Sequence, residues 1–131
     1  MIKIWVNGTF DVLHIGHIKL FQFAKSLGDY LIVGIDSDKR IKELKGPNRP
    51  INDELARFDF LYAIRYIDEV RIFSSEETLI KTIQDIRPDI MVWGDEYKDK
   101  RKIGAEYGKQ IVYFDKIPNY SSTTIIHKIS D

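Results

Sequence analysis

The stretch GTFDVLHIGHIKLF (residues 8–21) carries His14 and His17, two of the chain's three histidines, separated only by Ile15 and Gly16. An imidazole can relay a proton near neutral pH, ligate a metal, or donate a hydrogen bond to an anionic oxygen. Three positions make nearly one helical turn, so on a helix both rings project to the same side. A zinc centre would need further ligands, and the chain has no cysteine and no third histidine nearby. Gly8 lets the backbone turn and lets a ligand approach closely, and Gly16 does the same near a helix start. A helix N-terminus contributes unpaired N–H groups and the positive end of a dipole. Imidazoles and backbone donors converging on one point suit a polyphosphate, whose oxygens gain charge during phosphoryl or nucleotidyl transfer.

Two other groups of side chains can take part in such chemistry. In SSTTII (121–126), the hydroxyls of Ser122, Thr123 and Thr124 either cap a helix or hold phosphate oxygens at its start. Asp36 and Asp38, just after an apolar run, either hydrogen-bond to acceptor hydroxyls or cap the helix that follows.

These residues must be positioned by regular elements. IKIWV (2–6), YLIVGI (30–35), VRIF (70–73), IMVWG (90–94) and QIVYF (110–114) are apolar runs of strand length. They are mostly continuous rather than alternating, as in strands covered on both faces. Between them, Ile15, Ile18, Phe21, Ala24 and Leu27 trace a helical stripe, and Leu55, Phe58, Leu61, Tyr62 and Ile64 trace another. Leu79, Ile80, Ile83 and Ile86 form a third, closed by Pro88. Strand and helix in alternation predict an α/β fold: one doubly wound, Rossmann-like domain over residues 1–131 with a five-stranded parallel sheet. Ligands in such sheets bind beyond the carboxyl ends of the strands, which directs attention to loops 7–14, 36–38, 94–99 and 115–122.

Composition narrows the partners. At 131 residues, 44% apolar and 31% charged, the chain has the balance of a globular domain. Its 20 basic residues cancel 20 acidic ones, which removes the electrostatic case for nucleic acid or anionic membrane as a partner. The absence of cysteine excludes disulfides, thiolate metal sites and cysteine nucleophiles, and fits a reducing interior. No apolar run approaches the roughly 20 residues that span a bilayer, and Met1 leads directly into a strand without a signal-like segment. A soluble cytoplasmic protein acting on small molecules is the expectation. Trp5 and the aromatics of 58–66 are the residues expected to supply a homodimer interface.

GTFDVLHIGH resembles the signature of the nucleotidylyltransferase superfamily that carries a His-x-Gly-His motif after its first strand. Cytidylyltransferases, pantetheine-phosphate adenylyltransferase and class I aminoacyl-tRNA synthetases share variants of it. KGPNRPIND (45–53) with Arg57, RYIDEV (65–70), WGDEY (93–97) and SSTTII follow in the family's order across almost the whole chain. The resemblance implies that His14 and His17 contact a triphosphate and stabilise the transition state, with Thr9 and Phe10 lining the same pocket. It further implies that Lys45 neutralises the α-phosphate, that Arg65 acts near the reacting phosphates, and that Ser122, Thr123 and Thr124 close over the β and γ phosphates. Trp93, Gly94 and Asp95 fall where the family holds base and ribose. For Lys45 and Arg65, solvated surface charge is the alternative, and His127 reads as a surface residue of the last helix.

The implied reaction is attack by a substrate phosphate on the α-phosphorus of a nucleoside triphosphate. Magnesium is expected to accompany that triphosphate, without a dedicated protein metal site. Two branches compete for the substrates. KGPNRPIND, Arg57 and GDEYKDKRKIGAEYG (94–108) resemble the adenylyltransferase half of ADP-heptose synthase, which uses ATP. GTFDVLHIGHIKL, GDYLIVGIDSD (28–38) and RYIDEV resemble glycerol-3-phosphate cytidylyltransferase, which uses CTP. The first is preferred, because its similarities cover the loops expected to form the acceptor pocket, where Asp11, Asp36, Asp38 and Arg57 are the candidate contacts. Two departures stand out: the kinase domain usually fused to the heptose enzyme is not in this chain, and Lys116 stands, one residue out of register, where the cytidylyltransferase branch has arginine. A non-catalytic nucleotide-binding module is the rival from another class; the intact histidine pair and hydroxyl cluster speak against it.

Overall fold

A computed structural model describes residues 1–115; Lys116, Ser122, Thr123, Thr124 and His127 lie outside the described residues. Strand β1 (Lys3–Gly8) occupies the middle of a five-stranded sheet. On one side of it lie β2 (Tyr30–Asp36) and β3 (Glu69–Phe73), on the other β4 (Ile90–Gly94) and β5 (Gln110–Phe114). The spatial order is β3-β2-β1-β4-β5 and every pairing is parallel. Strand order therefore reverses between β1 and β4, and the crevice above their carboxyl ends is where this topology places a ligand.

Helices α1 (Ile15–Ser26), α2 (Asp38–Lys45), α3 (Glu54–Tyr62) and α4 (Glu76–Ile86) cover the sheet on both faces. Successive residues of a strand point to opposite faces, and the two cores divide accordingly. Ile4, Val6, Leu31 and Val33 pack with Phe21 and Ala24 of α1 and Leu61 of α3. Trp5, Ile32 and Met91 pack with Leu79, Ile83 and Ile86 of α4.

The structure amends three expectations. Trp5 is only 1% exposed, held inside by α4 and by a 2.8 Å bond from its indole N–H to Asn7 Oδ1, so it supplies no surface for a dimer. The α3 stripe is not wholly inward: Leu55 and Tyr62 are exposed, Ile64 lies past the helix end, and the buried pair is Arg57 and Leu61. In α1, Ile15 is exposed while Phe21 and Ala24 are buried.

Gly34 of β2 fits the Trp5 ring specifically. A Cβ there would lie 2.4 Å from Trp5 Cη2, so the indole occupies the space a side chain would need. Gly34→Ala is expected to destabilise the fold by about 1–3 kcal/mol through overpacking. Chemical denaturation checks this, and trimming the ring with Trp5→Phe in the same chain should recover part of the loss.

Candidate active site

The loop after β1 is built around an aromatic in an uncommon conformation. Phe10 has φ +49°, the left-handed region, which costs a non-glycine residue roughly 1–2 kcal/mol. Its ring is almost fully buried, edge-on to Phe21 at 5.2 Å and to His17 at 5.5 Å. A Cβ on Gly8 would come within 3.0 Å of that ring, so Gly8 makes room for the aromatic that props up the histidines.

His14 is the N-cap of α1, a position usually filled by Ser, Thr, Asp or Asn. Its Nδ1 accepts the Gly16 N–H at 3.0 Å, and His17 Nδ1 accepts the His14 N–H at 3.1 Å. The two rings lie 3.9 Å apart, centroid to centroid. Because Nδ1 is the acceptor in both, the proton of each neutral ring resides on Nε2. The backbone donors of Gly16 and His14 are thus engaged by the imidazoles. Both imidazoles line the cavity at the start of α1.

Two buried polar side chains tie this loop to the rest of the site. Asp11, 2% exposed, accepts the Ile51 N–H at 2.8 Å and the Arg49 Nε–H at 3.3 Å on Oδ2, and the Asn52 N–H at 2.7 Å on Oδ1. Asn52 Nδ2 donates back to the Asp11 carbonyl at 2.7 Å. Arg57 is completely buried: Nε donates to the Asn52 carbonyl, Nη1 to the carbonyls of Thr9 (3.0 Å) and Asp36 (2.7 Å), and Nη2 to Asp38 Oδ1 (2.8 Å). Both were expected at the acceptor. The structure commits their polar atoms to the protein itself, so they position the loops on which the site stands.

Above the switch point lies a cavity of about 520 Å³, within the range of small-molecule sites. It gathers Gly8, Thr9, Phe10, Asp11, His14, Gly16 and His17 from the β1 loop and α1, Asp36 and Lys45 from the β2 side, and Trp93 and Gly94 from β4. Burial raises the Asp36 carboxyl above its ordinary value, while Arg40, Arg57 and Lys45 pull it back; Arg40 Nε donates to it at 2.9 Å.

Four expected residues stand apart from the lining. Arg57 is the buried hub just described. Asp38 is occupied by it, and the cap of α2 is Ser37, whose hydroxyl accepts the Arg40 N–H. Asp95 pairs with Lys98 at 3.4 Å. Arg65 is exposed, lying over the Tyr66 ring and donating to its hydroxyl. Conversely, the cavity includes Arg40, outside every motif, and Arg49, Glu96, Tyr97 and Arg101, which the motifs contain but which were not named as contacts. Arg49 lay within the quoted KGPNRPIND, and its contact with Asp11 is the part that no local pattern announces. Among the described residues no three His, Asp or Glu side chains gather as a metal site, and no helix is long and apolar enough to cross a membrane.

The Cytidylyltransferase-like family model matches residues 5–128. Among curated relatives, a "Bifunctional protein HldE" of Campylobacter fetus is 43% identical over 126 residues, and one of Helicobacter pylori is 46% identical over 126. Each alignment covers 96% of this chain and 27% of the relative, so the chain spans about a quarter of their length. The lipopolysaccharide core biosynthesis protein from Thermoplasma volcanium superposes with a TM-score of 0.74 at 30% identity, covering 89% of this chain and 98% of that one. A protein of unknown function from Archaeoglobus fulgidus shares the fold at a TM-score of 0.64 and 22% identity over 92% of this chain and 94% of its own.

Proposed function

The chain belongs to the cytidylyltransferase-like family, and from that premise we propose that it is a nucleotidyltransferase joining a nucleoside triphosphate to a sugar or polyol phosphate. The preferred substrates are ATP and heptose 1-phosphate. The observation that carries the reading is the pair of Nδ1-anchored imidazoles on the cavity at the sheet's switch point. Similarity to the bifunctional HldE proteins and to a lipopolysaccharide core biosynthesis protein supports the sugar, since core assembly consumes activated sugars.

In this reaction an oxygen of the acceptor phosphate forms a bond to the α-phosphorus, and the bond from that phosphorus to the β-bridging oxygen breaks. The electron pair leaves with pyrophosphate. The nucleophile is already ionised at neutral pH, so no strong base is required. Alignment of two anions and stabilisation of the growing charge then supply the rate. His14 and His17 donate Nε2–H bonds to the triphosphate, Lys45 adds positive charge, and Trp93 and Gly94 bound the nucleoside end. Ser122, Thr123 and Thr124 are assigned to the β and γ phosphates on their resemblance alone. Asp36 on the cavity wall would be the protein residue to hold a magnesium ion brought with the triphosphate, and that ion would neutralise phosphate charge.

CTP with glycerol 3-phosphate is the second reading, favoured by RYIDEV and by the family's own description. Pyrophosphate release over a matrix of ATP and CTP against heptose 1-phosphate, glycerol 3-phosphate and other sugar phosphates decides between them. ATP with heptose 1-phosphate should give the highest kcat/KM. No release from any pairing would make the chain a binding module and overturn the proposal.

A further inference from the structure

Two buried donor nitrogens in the described residues have no hydrogen-bond partner: Trp93 Nε1 and Arg49 Nη2. Both residues line the cavity. A buried donor left unpaired costs about 1–3 kcal/mol, so its persistence at a cavity wall points to a ligand atom that completes it. The two stand on different sides of the switch point. Trp93 belongs to β4, whereas Arg49 follows α2 on the β2 side, near Arg40 and Lys45.

Resting on the nucleotidyltransferase reading, we infer that Arg49 binds a phosphate oxygen of the acceptor and selects phosphorylated over unphosphorylated acceptors. Attacking and leaving oxygens lie on opposite sides of the reacting phosphorus. With the nucleoside at the β4 end and the triphosphate at the histidines, the acceptor phosphate approaches from the β2 side, where Arg49 stands. Its orientation is preset. Asp11 Oδ2 accepts the Nε–H at 3.3 Å, and the same carboxylate holds the backbone of Ile51 and Asn52. A guanidinium fixed through Nε still has its Nη edge for a phosphate, a geometry lysine cannot reproduce.

The test uses Arg49→Met and Arg49→Lys in the full chain, each verified by thermal melting. Calorimetry with heptose 1-phosphate, glycerol 3-phosphate and inorganic phosphate reads acceptor affinity, calorimetry with ATP reads nucleotide affinity, and pyrophosphate release reads both KM values. Arg49→Met should weaken acceptor binding and raise acceptor KM at least about tenfold, the scale of a lost charge-assisted bond. Nucleotide affinity should move less than about threefold, and Arg49→Lys should fall between wild type and Met. Unchanged acceptor affinity in both variants, an equal loss for ATP, or a wild-type protein that binds none of the three phosphates would overturn the inference. Arg49-dependent phosphate binding without pyrophosphate release from any pairing would instead sink the transferase reading and leave the inference standing. Turnover with an unmoved acceptor KM would do the reverse.

Discussion

Replacing His14 or His17 with alanine is expected to leave the protein folded and to lower kcat at least about 100-fold, the scale of one lost transition-state donor. The two variants should differ in stability. His14 caps α1 through Nδ1, so His14→Ala also forfeits a cap, a loss of about 0.5–2 kcal/mol. His14→Asn separates the effects. Its carboxamide oxygen can accept the Gly16 N–H, yet the side chain is too short to place a donor where Nε2 stands. Thermal melting of His14→Asn near wild type, with turnover still depressed, would establish that Nε2–H does the chemistry. Near-normal turnover in either alanine variant would remove the histidines from the mechanism.

Arg57→Met should be the most destabilising single change among those considered. It removes a fully buried guanidinium and strands the carbonyls of Thr9 and Asp36 together with the Asp38 carboxylate. Breaking a buried, hydrogen-bonded charge pair costs about 3–5 kcal/mol; Asp38 is 30% exposed and can rehydrate, which favours the lower end. Denaturant titration measures the loss. In the cold, where enough protein stays folded, both substrates' KM should rise, since Thr9 and Asp36 lose a shared anchor. A direct acceptor contact would raise the acceptor KM alone.

The sheet was legible because most strands are nearly continuous apolar runs, β3 with Arg71 and Ile72 exposed being the least so; IMVWG and QIVYF match β4 and β5 end to end. Helix α4 was equally plain, with Leu79, Ile83 and Ile86 inward and Pro88 beyond its end. By contrast, α2 reads DKRIKELK and buries only Ile41, too little for periodicity to mark. In α3 the inward position is held by Arg57, and hydrophobic spacing cannot anticipate a cation whose burial depends on carbonyls tens of residues away. The same limit applied to the site. The histidine loop was readable as a contiguous motif. That Asp11 and Arg57 would spend their polar atoms on other loops, and that Arg65 would lie outside the cavity, depends on three-dimensional closure that no linear pattern encodes.

The Asp11 carboxylate, bonded to three groups of the 49–52 segment, works as a rivet between that segment and the histidine loop. Two of those bonds run to backbone amides and survive exchange of the side chains there, whereas the third belongs to the Arg49 guanidinium. On the proposed function, grafting a relative's loop over this segment with Arg49 retained should change acceptor preference without re-tuning the histidine pair.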